Sequence, residues 1–174
     1  MDYRRRDALQ VLNQLYLGHI SFLDAEYSRR IKKGNYTEKD RSWLVSLLRN
    51  IVKHHSFIDK VLKEYLPRWE KLPPEVQNLL RIGVGELFFH SSPSFAVVNE
   101  VVEITKEVEK EFTSLVNAVL RKIAEKRDYY SFILEEEGIE LPPFLEEEWR
   151  NWIGEEELRA LKKSLSLSPC LYVR

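Results

Sequence analysis

Apolar residues recur at helical spacing along most of this chain, most densely between Leu72 and Leu120. Pro73 and Pro74 open the first helix of that stretch, because proline is tolerated at the first helical positions, where no backbone donor is needed. Val76, Leu79, Leu80, Val84, Leu87 and Phe88 give this helix one apolar face, and Ser91-Ser92-Pro93 stops it. A second helix carries Val97, Val98, Val101, Val102 and Ile104, and a third carries Leu115, Val116, Val119, Leu120 and Ile123. Two asparagines, Asn99 and Asn117, interrupt these apolar runs where an aliphatic residue would cost less. A buried amide needs partners, so both are expected to tie helix to helix. Glu100, beside Asn99, joins them as a structural polar position.

Upstream, Tyr3 to Leu17 reads as a helix with Ala8, Val11, Leu12, Leu15 and Tyr16 on one face, closed by Gly18. A second helix spans about 20–32 and ends at Gly34-Asn35. Thr37, with Asp40 three residues later, has the pattern of a capping box and opens a helix whose inner stripe is Trp43, Leu44, Leu47, Leu48, Ile51 and Val52. Phe57 to Leu66 continues or restarts it, and Pro67 ends the segment, leaving Trp69 and Leu72 to pack in the connection. Downstream, Tyr129, Tyr130, Phe132, Ile133 and Leu134 extend the last helix as far as Gly138. Pro142-Pro143 then starts a helix with Phe144, Leu145, Trp149, Trp152 and Ile153, and another follows with Leu158, Leu161 and Leu165. Leu171-Tyr172-Val173 is an alternating apolar piece with nothing visible to pair with, so the chain reads as cut at this point.

Composition narrows the class. The 174 residues are 32% charged and contain only 6 glycines, as in a charge-rich helical protein. No apolar run approaches the ~18 residues of a membrane span, and MDYRRRDALQ lacks the apolar core of a secretion signal. No membrane association is expected, and the location expected is the cytoplasm. The net charge of −1 hides a gradient: residues 1–68 hold 14 Lys/Arg against 8 Asp/Glu, whereas residues 135–174 hold 5 against 10. A polyanionic partner would therefore meet the N-terminal third. Arg4, Arg5 and Arg6 stand in the first turn of their helix, where the dipole favours acids; three cations there need a reason beyond helix stability.

The segments LLRIGVGEL, Pro93, VVNEVVEITK and LVNAVLRKI, in that order, resemble the NusB fold, an all-helical RNA-binding module. That module occurs alone as the transcription antitermination factor and also fused in front of RNA cytosine-5 methyltransferases of the RsmB (Sun, Fmu) type. The resemblance implies an all-α architecture of two small helical bundles, here residues 1–134, followed by a helical extension, residues 135–174. It also implies that an arginine-rich start of the first helix contacts single-stranded RNA, which would give Arg4, Arg5 and Arg6, with Lys53 nearby, that role. Asp40-Arg41 sits where the methyltransferase type also places an Asp-Arg pair. LPPFLEEEWRNWIGEEELRALKKSLSLSPCLYVR follows the continuation of the methyltransferase type, with its Pro-Pro helix, its acidic helix and a strand leading toward a catalytic domain.

Chemistry is the missing element. A methyltransferase of this type needs a Rossmann-like domain with a glycine-rich turn for S-adenosylmethionine and a cysteine nucleophile. Gly83-Val84-Gly85 lies inside a helix, where it permits close helix approach rather than cofactor binding. Pro169-Cys170 superficially matches the Pro-Cys motif but lacks a preceding cofactor domain, and a lone thiol needs an activating environment. One cysteine excludes an internal disulfide and a four-cysteine zinc site. His19, His54, His55 and His90 show no metal-ligand spacing with carboxylates; His54 and His55 read as a helix-edge pair. The function expected is therefore binding of RNA, small-subunit ribosomal RNA as the resemblance implies, for a methyltransferase domain outside this chain, which would carry the S-adenosylmethionine. The alternatives are an antitermination factor that acts with a ribosomal protein, and a docking module with little RNA contact.

Overall fold

The computed structural model describes residues 3–16, 18 and 36–166. Within them the chain forms α1 (Tyr3–Tyr16), α2 (Glu38–Lys53), α3 (His55–Tyr65), α4 (Pro74–Phe89), α5 (Ser94–Val108), α6 (Thr113–Glu125), α7 (Arg127–Glu137), α8 (Pro143–Ile153) and α9 (Glu155–Ser166). Single 3₁₀ turns at Trp69–Lys71 and Lys110–Phe112 join α3 to α4 and α5 to α6. The described residues contain no strand, so the all-α expectation holds among them. The helix expected over 20–32, the Gly34-Asn35 turn, His19, Cys170 and Leu171–Val173 lie outside the described residues.

The chain divides into two compact units, Met1–Arg127 and Asp128–Arg174. That division falls before the boundary expected after residue 134. α6 stops at Glu125, Lys126 leaves helical geometry (φ −105°, ψ 19°), and a separate helix begins at Arg127. Tyr129–Leu134 therefore do not extend α6.

The first unit is built around α4, which packs against α1, α2, α3, α5 and α6. Its sequence predicts one apolar face, but the structure buries Val76 and every residue from Asn78 to Leu87. A helix surrounded on all sides needs small residues where neighbours come close, and α4 has two. A Cβ on Gly83 would lie 2.8 Å from both Leu120 methyls on α6, and one on Gly85 would lie 2.6 Å from Ile51 Cγ1 on α2. The close-approach reading of Gly83-Val84-Gly85 is thus correct on both sides. α4's buried polar groups are paired. Arg81 donates to both oxygens of Asp59 at 2.7 Å and to Asn78 Oδ1 at 2.9 Å, and Asn78 donates to Asn13 Oδ1 at 2.7 Å. The Arg81 guanidinium also lies over the rings of Tyr16 (4.3 Å) and Trp69 (5.1 Å), satisfying a charge that would be costly to bury alone.

Start and stop signals behave as the sequence predicts at several ends. Thr37 caps α2, accepting from Asp40 N at 3.2 Å, and Pro74 stands at the first turn of α4. In the second unit α8 packs on α9. Gly138 takes φ +71° where the chain meets the Lys162 carbonyl, and Ile139 N donates to that oxygen at 3.1 Å. Glu146 accepts from Arg150 (3.2 Å) and Lys162 (3.1 Å). The aromatic side chains Phe144 and Trp152 of α8 are exposed.

Candidate nucleic-acid interface

The three arginines that open α1 each meet an acid from a different helix. Arg4 donates to Asp40 of α2 at 3.3 Å. Arg5 reaches Glu86 of α4 through two hydrogen bonds, at 2.8 and 2.6 Å. Arg6 pairs with Glu107 of α5. These tertiary carboxylates offset the unfavourable end of the helix dipole, which answers why cations can stand there. They also separate the three residues by role. The Arg5 side chain is 6% exposed and its partner 0%, so Arg5 cannot present its guanidinium to RNA, which corrects the expectation for that residue. Arg4 and Arg6 keep 30% and 28% of their side chains exposed and remain within reach of a ligand.

Around Arg4 the start of α2 forms a tight polar corner. Asp40 accepts from Thr37 Oγ1 (2.6 Å) and Tyr3 OH (2.9 Å) as well as from Arg4. The Thr37 hydrogen bond first, then that of Tyr3, holds its carboxyl below the usual range. Arg4 and Arg5 lie over the Trp43 ring at 4.7 and 5.4 Å, a cation–π arrangement. His90, just past α4, meets the same indole edge-on, with centroids 5.2 Å apart. Between α2 and His90 runs an open groove of about 810 Å³, lined by Lys39, Ser42, Trp43, Ser46 and His90 among others. The apolar pattern predicts Trp43 in the core stripe and gives His90 no role; in the structure Trp43 is half-buried and both line this groove.

Lys53 does not join this surface. It ends α2, ten residues beyond Trp43, or ~15 Å along the axis, half-buried, and burial lowers its pKa. Asn99, Glu100 and Asn117 do not tie helices together. Asn99 is exposed, the other two are half-buried, and none makes a side-chain hydrogen bond among the described residues. The reason is rotational: each asparagine follows the buried Val98 or Val116 by one position, about 100° round the helix, and so leaves the packed face. Asn13, Asp59, Asn78, Arg81 and Glu86 perform the expected tying instead. The signal for three of them is the spacing of Asn78, Arg81 and Glu86 within an otherwise apolar α4; Asn13 on α1 and Asp59 on α3 carry no such signal.

The only closely spaced glycines, Gly83 and Gly85, are closed off by Leu120 and Ile51. The described residues contain no cluster of three potential metal-ligating side chains. His54 is buried against Phe89, and His55 is exposed. No helix among the described residues is long and apolar enough to cross a membrane.

Residues 3–125 match the NusB family. Over 127 residues the chain is 33% identical to ribosomal RNA small subunit methyltransferase B of Thermus thermophilus, covering 73% of this chain and 30% of that protein. It is 24% identical over 163 residues to the probable ribosomal RNA small subunit methyltransferase B of Synechocystis sp., covering 88% of this chain and 36% of that protein. Transcription antitermination protein NusB of Nitratiruptor sp. is 32% identical over 91 residues, 51% of this chain and 66% of that protein. NusB of T. maritima superposes with a TM-score of 0.65 at 26% identity, covering 72% of this chain and 92% of that one. The chain spans about a third of the length of the methyltransferases it matches.

Proposed function

This chain belongs to the NusB family, and from that premise we propose that it is the RNA-binding part of a ribosomal RNA (cytosine-5) methyltransferase. In this reading the first unit holds small-subunit ribosomal RNA through the Arg4/Arg6 end of α1. A separate domain of the same protein, using S-adenosylmethionine, carries out the methyl transfer. The observation that supports the reading is the 33% identity to the Thermus thermophilus methyltransferase over 73% of this chain, where at nearly the same identity the Nitratiruptor NusB aligns with 51% of it. The antitermination reading has its own support, because the chain covers 92% of the T. maritima NusB chain.

Fluorescence anisotropy with single-stranded ribosomal RNA fragments tests the binding. Affinity is expected to fall with salt by about 0.7 in the log–log slope per phosphate contact. Arg4→Ala with Arg6→Ala should lower both affinity and slope while leaving helicity intact. Arg5 is kept, since removing it strands Glu86. Unchanged affinity and slope would move the interface elsewhere; no binding at any salt would favour a docking module. Calorimetric titration of this chain with S-adenosylmethionine should give no specific heat, and micromolar binding would overturn the division of labour.

A further inference from the structure

We propose that the outer ridge of α8, in the second unit, docks a basic amphipathic helix of a protein partner, independently of what the first unit binds. α8 carries Phe144, Leu145, Trp149, Trp152 and Ile153 among its 11 residues, yet buries none of them. A helix this short is marginal in water and depends on a covered apolar face. α8 packs on α9, and Leu145, Trp149 and Ile153 are half-buried. Those three stand at i, i+4 and i+8 and form one ridge. Beside it runs a second ridge of the same spacing, Phe144, Glu148 and Trp152, which stays in solvent. Phe144 is 72% exposed and Trp152 82%. Two aromatic side chains so placed leave roughly 300 Å² uncovered, the scale at which an exposed apolar patch marks an interface.

Charge selects the occupant. Glu147 and Glu148 are exposed and form no ion pair among the described residues, whereas Glu146 is taken up by Arg150 and Lys162. The one cation of the helix, Arg150, lies about 160° round the axis from Glu148 and is held by Glu146 and Glu155. Residues 128–174 carry 5 Lys/Arg against 11 Asp/Glu, so nucleic acid and anionic lipid are repelled from this unit. A second copy meeting ridge to ridge would set like charges together. A protein helix meets every requirement. Its apolar stripe covers Phe144 and Trp152, its flanking lysines or arginines meet Glu147 and Glu148, and its grooves accept a ridge of i, i+4 spacing. Tryptophan is also the residue type on which such contacts most often depend.

The test uses the full chain and three labelled peptides of ~18 residues, long enough to hold a helix. The first sets leucines at i, i+3, i+4 and i+7 among lysines. The second replaces each leucine by glutamine, and the third replaces each lysine by glutamate. By anisotropy, the wild-type chain should bind the first roughly tenfold more tightly than either control, the scale of one aromatic anchor. Phe144→Ala with Trp152→Ala should remove that preference. Glu147→Gln with Glu148→Gln should weaken binding and flatten its salt dependence. Both pairs replace exposed groups, so helicity should not change. No binding of the leucine–lysine peptide, equal binding of its glutamine control, or variants that bind like the wild type would overturn the proposal. So would self-association that Trp152→Ala abolishes, or an RNA affinity that Trp152→Ala lowers, because the ridge would then belong to a second copy or to RNA.

Discussion

Arg5 on α1 and Glu86 on α4 form a buried two-pronged ion pair, Nε to Oε2 at 2.8 Å and Nη2 to Oε1 at 2.6 Å. Eighty-one positions apart in the chain, they lock the N-terminal helix to the central one. Removing one partner leaves a charge in the core, so Arg5→Ala should cost about 3–5 kcal/mol in urea unfolding. Replacing both, Arg5→Met with Glu86→Leu, should cost clearly less than the two single changes together. Additive losses would mean that the two charges do not depend on each other.

Gly85→Ala places a methyl group 2.6 Å from Ile51 Cγ1. Overpacking of this kind costs about 1–3 kcal/mol. Ile51→Ala should be less damaging in the Gly85→Ala background than alone, because it clears the clash. A double-mutant cycle with no coupling would show that α2 and α4 part without resistance.

Asn78 and Asn117 should respond oppositely to leucine. Asn78 is 1% exposed and hydrogen-bonds both Asn13 and Arg81, so Asn78→Leu should lose about 1–3 kcal/mol through the partners left unsatisfied. Asn117, half-buried and without such partners, should tolerate the change within about 0.5 kcal/mol. Comparable thermal shifts for the two variants would contradict this assignment.

His54, at the α2–α3 junction, stacks on Phe89 with centroids 4.8 Å apart. Burial, and then the Lys53 charge, pushes its pKa from 6.5 to about 4. Between those values the unfolded chain binds the proton and the folded one does not, so stability falls as pH falls. The contribution is complete above about 6.5 and is lost on the way down to about 4. The wild-type urea midpoint should therefore drop further between pH 7 and pH 5 than that of His54→Phe. Equal drops would show that the ring takes up its proton inside the fold.

Gly138→Ala tests the second unit. The backbone is at φ +71°, and a Cβ would sit 2.5 Å from the Lys162 carbonyl carbon. The left-handed conformation alone costs about 1–2 kcal/mol for a residue with a side chain, and the contact is with backbone that cannot rotate away. Faster proteolysis of α7–α9 relative to the first unit is the expected readout; unchanged cleavage would mean that this turn relaxes freely.

Local pattern by itself determined most of the described helices, the Thr37 cap, the proline starts and the role of Gly83 and Gly85, though it missed the break at Lys126. Each depends on residues within a few positions of one another, or on a missing side chain that any close neighbour would require. Segment order also carried the family, because the segments that resemble it stand in that order within residues 3–125, the stretch that matches it. What tertiary structure decided was the fate of charge. Three adjacent arginines look alike in a chain, but α1 turns each toward a different helix, and only the fold brings Glu86 beneath Arg5 and Asp40 beside Arg4. The same long-range packing turned α4 from a one-faced helix into one buried all round, rotated Asn99 and Asn117 away from the core, and set His90 against Trp43. Spacing along a helix shows which residues share a face. It does not show which faces will be covered, and burial, which follows from that covering, separates a structural arginine from one able to touch RNA.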